Sequence, residues 1–381
     1  MDKRDTGKES GSNSHIIDIE EPYISLAKSM EASLEKLPTL SSKRCIYRVP
    51  PKLRKINEVA YTPLIVSIGP LHHGKVGLQA MEKQKRRYLQ NFLRRTQKGL
   101  LDFVKKANEE EEEIRNCYAE TIEFTSDEFV EMILVDVAFI IEVLWGSKYI
   151  SMVEKNDPLF NNPWMIYDII CDLRLLENQL PFFVLNDLYN MANFQAFQPS
   201  FVDLTREYFK KTADKGFYLP ETISSHANHL LDFQRKSLRP TKPRQPPKGT
   251  GGLDFIPCAT KLNEAGVMFK TEKVSKNLFE VKFVEGVLQI PYLEIFDQTE
   301  GTLRNMVALE QCHYQQSYMS DYITFLDMLI DSPKDVELLA RSGVIKHSLG
   351  NNEDVSNLFN KLSKEIGVNF KEYYLVEFMN N

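Results

Sequence analysis

The sequence has no apolar run long enough to cross a membrane. Its longest apolar run, residues 132–145, contains Asp136 and Glu142. A membrane-spanning helix needs about 20 mostly apolar residues. We therefore predict that these 381 residues contain no transmembrane segment.

Cysteine is scarce, and no secretory leader is recognisable. The five cysteines are widely spaced and odd in number, and the chain begins with a polar stretch, MDKRDTGKESGSNS. This pattern is typical of free thiols in a reducing compartment. We predict a protein that is cytoplasmic or peripheral to the plasma membrane, and we expect residues 1–14 to be a disordered tail.

The sequence also lacks a basic excess and a recognisable catalytic motif. Its 47 Lys and Arg residues against 53 Asp and Glu residues give a net charge of -6, which does not favour nucleic acid as a partner. No G-x-S-x-G, P-loop, dinucleotide-binding or H-E-x-x-H pattern is present. We expect no nucleic-acid partner, no cofactor and no enzymatic activity.

What is present is mostly helical periodicity, with a few short apolar runs typical of strands. Residues 45–49 and 61–68 are predicted strands ended by Pro or Gly-Pro, and residues 278–284 and 287–290 form a predicted hairpin that turns at Glu285 and Gly286. An isolated hairpin is only marginally stable. We therefore predict a predominantly helical α+β fold, with one small mixed sheet built from N-terminal and C-terminal segments.

The helix that begins near Thr125 is the best specified element of the sequence. Thr125 and Glu128 have capping-box spacing, and almost every residue that follows is apolar, which predicts a helix at the centre of the core. Asp136 is an outlier there, because an unpaired buried charge costs several kcal/mol. Its candidate partners are Arg48, Arg115 and Arg174. The functional alternative is a general base with a raised pKa.

A further helix is predicted over residues 162–179, and it carries Asp168, Asp172, Arg174 and Glu177. The carboxylates at 168 and 172 share one helix face. Salt bridges at the surface or between helices are the expected role of this pair. A metal site or an acid–base pair is the alternative.

A basic, proline-rich and glycine-rich segment, residues 235–252, is predicted to be a mobile linker. It would separate an N-terminal helical part, residues 15–234, from a C-terminal part, residues 253–381, that contains the hairpin and further helices. We expect both parts to belong to one domain, residues 15–381.

Two pairs of neighbouring residues that contain histidine suggest a metal-binding or catalytic site. His72 and His73 lie in a turn and suggest zinc, but adjacent residues rarely ligate one structural ion, and imidazole–backbone hydrogen bonds are the alternative. Cys312 and His313 suggest a nucleophilic thiol with a histidine as its base. Neighbouring side chains on a helix diverge by about 100°, so each would need another partner.

Several motifs resemble those of a plant family known as domain of unknown function 247. They keep their order along nearly the whole chain. The motifs are YRVP (47–50), YTP (61–63), VSIGPLHHG (66–74), CYAE (117–120), SDEFVEM (126–132), LLENQLPFFVL (175–185), PCATKLNEAGV (257–267) and LEQCHY (309–314).

The resemblance implies a plant protein, and no established catalytic residues carry over from the family. Family members usually have a C-terminal membrane helix, which is missing here, and some are implicated in pollen and stigma recognition during self-incompatibility in grasses. The residues that we single out as candidate functional or motif positions are Arg48, His72, His73, Asp136, Glu177, Cys312 and His313.

Three functional hypotheses follow. The first is a non-enzymatic recognition or signalling module that binds another protein, in a setting related to reproductive self-recognition. The second is a metal-dependent or acid–base hydrolase with a site near His72 and His73, using a carboxylate such as Asp136. The third is a truncated family member that has lost its membrane anchor.

Overall fold

Helices dominate the computed structural model of the chain, which describes residues 22–35, 41–194, 199–212, 226–238, 256–272 and 277–368. The chain divides into two units, Met1–Ser42 and Lys43–Asn381. The described part of the first unit is one helix, α1 (Pro22–Glu35). The predicted tail, residues 1–14, lies outside the described residues.

The second unit contains the remaining described helices and strands. The helices are α2 (Pro51–Arg54), α3 (Gln79–Arg95), α4 (Leu100–Asn116), α5 (Ser126–Lys148), α6 (Pro163–Asp172), α7 (Phe182–Ala192), α8 (Phe201–Thr212), α9 (Leu230–Leu238), α10 (Ala259–Glu264), α11 (Thr299–His313), α12 (Tyr318–Leu329), α13 (Pro333–Arg341) and α14 (Asn352–Leu362). The strands are β1 (Met268–Glu272), β2 (Lys282–Val284), β3 (Val287–Pro291), β4 (Leu293–Ile295) and β5 (Ile345–His347). The predominantly helical α+β class is confirmed. Among the described helices, none combines the length and apolarity that crossing a bilayer requires.

Helix α5 lies at the centre of the first of two hydrophobic cores, as predicted. The Thr125 amide donates to Glu128 Oε2 over 3.0 Å, and the Glu128 amide donates to Thr125 Oγ1 over 3.3 Å, which completes the capping box. Every residue from 132 to 144 is buried. Helices α3, α4, α7 and α8 pack around it. Because full burial of one large apolar side chain contributes about 1.5–3 kcal/mol, α5 is a major source of stability.

The second core is formed mainly by the C-terminal half of the chain. Met306 of α11, Ile323 and Phe325 of α12, Leu339 of α13 and Phe359 of α14 are all fully buried in it. Leu288 and Ile290 of β3 and Leu293 of β4 contribute from the strands.

The strands form two small sheets. In the first, β3 pairs in parallel with β1 and antiparallel with β2. In the second, β4 pairs in parallel with β5. The β2–β3 hairpin turns at Glu285 and Gly286, whose φ angles of 50° and 75° are those that a two-residue type I′ turn requires. The predicted hairpin is therefore confirmed, although β2 is shorter than expected.

The prediction that N-terminal segments would complete this sheet is wrong. Within the described residues 41–194, residues 45–49 contribute one isolated bridge, between Ile46 and Tyr118, and residues 61–68 contain no strand. The helix predicted over residues 162–179 is also too long, because α6 ends at Asp172. The chain that follows α6 is a loop, and its side chains hold residues 61–69 in place.

The first four residues of the predicted linker, 235–238, belong to α9. Arg235 is in the last turn of α9, where its Nε donates to Glu310 Oε1 over 3.0 Å and its guanidinium stacks on the ring of Tyr314. A buried, paired arginine cannot belong to a mobile segment. The rest of the predicted linker, residues 239–252, lies outside the described residues.

Candidate functional site

The backbone of residues 64–69 is held by side-chain oxygens, not by a neighbouring strand. Asp172 Oδ1 accepts from the Leu64 amide over 2.8 Å. Its Oδ2 accepts from the amides of Ile65 and Val66 over 2.8 and 2.9 Å. A buried amide must find an acceptor, and one carboxylate here serves three of them. Asp172 is therefore a buried loop anchor and not the surface or interhelical salt-bridge residue that we expected.

Burial raises the pKa of Asp172 to about 6, although the three amide donors oppose that shift. The next amides along the chain follow the same scheme. The Ile68 amide donates to Asn178 Oδ1 and the Gly69 amide donates to Asp136 Oδ2, each over 2.7 Å. Residues 64–69 therefore form an extended loop whose hydrogen-bond partners are side chains, and residues 66–69 of it are buried.

Gly69 is required by this loop. Its φ is 69°, and a Cβ placed on it would lie 2.7 Å from the carbonyl oxygen of Gln179 and 2.9 Å from Tyr118 Oη. Real Cβ atoms do not approach backbone so closely. We expect Gly69→Ala to lower the free energy of unfolding by about 1–3 kcal/mol, as measured by denaturant titration. Gly74→Ala is the matched control, because φ is also positive there but a Cβ meets no atom within 4 Å. Equal losses in the two variants would contradict the steric argument.

Asp136 is paired, as predicted, but its partner is Lys85 and none of the three arginines proposed. Lys85 Nζ lies 2.5 Å from Asp136 Oδ1, donates to the Ser67 carbonyl over 2.8 Å and lies 2.7 Å from Glu82. Both side chains are fully buried. Burial raises the pKa of Asp136, and the Lys85 ammonium opposes that shift. Since both carboxylate oxygens are occupied, the geometry is that of a structural ion pair.

Arg48, His72 and Glu177 come together in a second cluster, in which His72 and Glu177 are buried and Arg48 is partly exposed. Glu177 Oε1 accepts from the Val49 amide and from Arg54 Nη2, each over 2.6 Å. Its Oε2 lies 3.4 Å from Arg48 Nη1 and 3.1 Å from His72 Nε2. Burial disfavours the charge of Glu177, but His72, the Val49 amide and Arg54 outweigh it and lower its pKa to about 2. Glu177 therefore stays ionised and joins the YRVP motif to the LLENQLP motif.

The two neighbouring histidines have different surroundings. Burial lowers the pKa of His72, whose Nε2 contact with Glu177 is not aligned as a hydrogen bond. The His73 ring meets the Phe124 ring edge-on, with centroids 5.7 Å apart. Across the described residues, no group of three His, Cys, Asp or Glu side chains is arranged to hold a metal ion. His72, His73 and Asp136 therefore do not form one site, because they contact Glu177, Phe124 and Lys85 respectively.

Cys312 and His313 are also separated in role. His313 Nδ1 lies 2.9 Å from Tyr47 Oη, and its Nε2 lies 3.2 Å from Asn228 Nδ2. Burial lowers the pKa of His313 and raises that of the Cys312 thiol to about 11. The imidazole therefore joins the YRVP motif to α11, and the thiol stays protonated.

Sequence reasoning missed Lys85, Asn178 and the anchoring role of Asp172. A signal for Lys85 was available. It lies on the same helical stripe as the buried residues Met81, Tyr88 and Phe92, so a cation was placed on the apolar face of α3. No comparable local signal marks Asn178, because its partners lie more than a hundred positions earlier in the chain.

A groove opens at the surface beside the anchored loop. It has a volume of about 210 Å³ and lies between residues 57–64, the end of α6 and the start of α11. Val59 and Leu64 line it and are 69% and 58% exposed. Tyr167 of α6 is 41% exposed and reaches the lining by a hydrogen bond to Gln298. Trp164, which is 61% exposed, lies one helical turn before Tyr167 on α6. We call the groove and these four apolar side chains the α6 groove.

Acidic groups outnumber basic ones around the α6 groove. The carboxylates of Asp172, Asp297 and Glu300 line it, and Arg174 is the cation among the lining residues. Arg174 is buried and donates to the Thr212 carbonyl over 2.7 Å, which directs its charge inward. Asp172 is buried as well, and Glu300 is paired with Arg304 over 2.7 Å. Asp297 is therefore the exposed charge among the lining residues, and the opening of the α6 groove is apolar with an acidic rim.

Comparison with known proteins agrees with the motifs. The family described as a plant protein of unknown function, domain of unknown function 247, matches residues 46–381. A UPF0481 protein of Arabidopsis thaliana is 31% identical over 362 residues, which cover 87% of this chain and 75% of that protein. A putative UPF0481 protein of the same plant is 25% identical, and the match covers 94% of this chain and 85% of the relative. No solved structure matches the chain. The buried motif contacts and these matches lead to one conclusion: the chain belongs to the plant family known as domain of unknown function 247.

Proposed function

We propose that this protein is a non-enzymatic recognition module that binds a segment of another protein in the α6 groove. The observation that carries the proposal is the exposure of Val59 and Leu64 in the groove and of Tyr167 and Trp164 beside it on α6. Contiguous exposed apolar patches mark interaction sites, and tryptophan and tyrosine are enriched among the residues that dominate binding energy.

The base of the α6 groove is rigid, which favours recognition over nonspecific contact. The Leu64 backbone is fixed by Asp172, and Asn57 on the same side donates to Glu300 Oε1 over 2.9 Å. Groups that are already ordered lose little conformational entropy when a partner binds. A short segment can therefore gain affinity here without reorganising the groove.

The charge around the α6 groove favours a basic partner segment. Asp297 is exposed at the rim, and Asp168 follows Tyr167 on α6. A partner segment with an apolar or aromatic anchor beside Lys or Arg complements both features. The family resemblance suggests reproductive self-recognition as the setting, in the cytoplasm or at the periphery of the plasma membrane.

Peptide display against the purified protein tests this proposal. We expect enrichment of segments that combine an apolar anchor with Lys or Arg, and synthetic copies should bind Trp164→Ala at least about tenfold more weakly than wild type. Val76→Ser is the matched control, because Val76 is an apolar residue, 86% exposed, that does not line the α6 groove. Its affinity should be unchanged.

Two results would contradict the proposal. One is a selected peptide that binds wild type and Trp164→Ala equally. The other is selection of acidic segments, or of none above background. Affinity that weakens as salt rises, for wild type and Val76→Ser alike, is the expected sign of the acidic rim.

A further inference from the structure

Two of the five cysteines, Cys45 and Cys117, lie side by side although 72 positions separate them in the sequence. The Cys45 amide donates to the Cys117 carbonyl over 2.9 Å. The residues that follow them, Ile46 and Tyr118, form a parallel β-bridge. The Cys117 thiol donates to the Glu113 carbonyl over 3.4 Å, and each of the two thiols shifts the pKa of the other.

This arrangement fits the geometry of a disulfide. Bridged backbones lie about 4.8 Å apart, and disulfides join residues whose Cα atoms are about 4.4–6.8 Å apart. Two thiols that shift each other's pKa also lie close together. The spacing of the two backbone segments therefore permits the bond.

A small molecule can reach the pair. Cys45 and Cys117 both line a groove of about 500 Å³ that runs beside the start of α7, with Phe182, Asn186 and Asn228 among the other lining residues. Each cysteine is 4% exposed. Access is thus limited to a reagent that fits the groove, which excludes the active-site loop of a large enzyme.

The two sulfurs are chemically unequal. The neighbouring Cys45 thiol lowers the pKa of the Cys117 thiol, although burial and the Glu113 carboxylate oppose that shift. The neighbouring Cys117 thiol and burial raise the pKa of the Cys45 thiol. The thiolate is the attacking form, which favours Cys117 as the first nucleophile and Cys45 as the resolving thiol.

We propose that Cys45 and Cys117 form a reversible disulfide by exchange with a low-molecular-weight disulfide of the glutathione class. The Cys117 thiolate attacks one sulfur of that disulfide, forming a mixed disulfide and releasing one thiolate. Cys45 then loses its proton and attacks Cys117 Sγ, which forms the protein disulfide and releases the second thiolate. Two protein thiols are oxidised and one small disulfide is reduced to two thiols.

The bond would fasten the beginning of the YRVP segment to the end of α4. That segment supplies Arg48 and the Val49 amide to Glu177, so the oxidised protein holds the cluster from both sides. Closing so long a loop restricts the unfolded chain. We expect the thermal unfolding midpoint of the oxidised protein to lie about 5 °C above that of the reduced protein.

Equilibration of the whole protein in glutathione redox buffers tests the proposal. After the remaining thiols are alkylated, non-reducing proteolysis and mass spectrometry should show a Cys45–Cys117 cross-linked peptide, lighter by two hydrogens, as the main oxidised product. Cys171→Ser/Cys258→Ser/Cys312→Ser is the matched control and should form the bond equally. Cys117→Ser should lose both the cross-link and the midpoint shift.

The wild-type protein alone can overturn the proposal, so the outcome does not depend on whether a variant folds. The proposal is overturned if stable glutathione adducts form on Cys45 or Cys117 without the cross-link. It is also overturned if the Cys45–Cys117 cross-link is no more abundant than the other cysteine pairings. This site is independent of the α6 groove, and either proposal can fail alone.

Discussion

Replacing Lys85 with methionine is expected to destabilise the second unit by about 3–5 kcal/mol, because it leaves Asp136 buried without a cation. The two side chains are 2.5 Å apart and fully buried, so water cannot take the place of the ammonium. Methionine keeps much of the lysine's apolar volume, so that the charge is the main change. Guanidinium titration followed by circular dichroism measures the loss.

A second substitution separates the charge effect from packing. In Lys85→Met/Asp136→Asn no fully buried charge is left unpaired, because Glu82 is partly exposed, and the asparagine can still accept from the Gly69 amide. We expect the double variant to recover a substantial part of the lost stability, with a coupling energy above about 1 kcal/mol. Lys83→Met is the matched control, because Lys83 is exposed on the same helix, and it should change stability by less than about 0.5 kcal/mol. A double variant less stable than Lys85→Met would refute the explanation by charge.

Local signals explain what the sequence predicted correctly. The capping box at Thr125 and Glu128, the apolar run of α5 and the turn at Glu285 and Gly286 each depend on residues within a few positions of one another. The need to pair Asp136 followed from burial alone. The identity of its partner did not, since Lys85 meets it only after α3 and α5 pack together.

The error over residues 61–68 has a physical cause. An apolar run bounded by prolines predicts a buried strand if its amides find backbone acceptors. Here Asp172, the last residue of α6, and Asn178, in the loop after α6, supply those acceptors from more than a hundred positions later. Residues 66–68 are buried as expected, but the hydrogen bonds of this segment go to side chains. The α6 groove follows from this arrangement, because Leu64 is anchored through its backbone while its side chain faces solvent.

Glu177→Gln is expected to lower the free energy of unfolding at pH 7 by about 2–3 kcal/mol, and the loss should depend on pH. The pKa of Glu177 is lowered from 4.5 to about 2 in the folded protein. An acid whose pKa is lowered by folding contributes stability that is complete above its unfolded pKa and disappears as pH falls through its folded pKa. The range of about 2–3 kcal/mol takes into account that Arg48 is partly exposed, because solvent weakens its interaction with Glu177.

Denaturant titrations of wild type and Glu177→Gln at several pH values between 7 and 3 test the pH dependence. We expect the difference between them to be constant from pH 7 to about pH 5.5 and to shrink as pH falls below 4.5. Glu120→Gln is the matched control, because Glu120 pairs with the same Arg48 but is exposed, so its difference should stay below about 1 kcal/mol. A Glu177→Gln difference that stays the same from pH 7 to pH 3 would assign the effect to packing.

The unfolding free energies of wild type and Glu177→Gln must be subtracted from each other, because the contribution of Asp172 to stability changes with pH in the opposite direction to that of Glu177. Burial raises its pKa from 3.8 to about 6, so its native form holds a proton that the unfolded chain has already lost, and its contribution falls as pH rises from about 4 to 6. The absolute stability of wild type combines both trends, and its profile alone cannot assign either. Asp172 is present in both proteins, so its effect cancels when the two free energies are subtracted. What remains below pH 4.5 is the protonation of the carboxylate that Val49, Arg54, His72 and Arg48 surround.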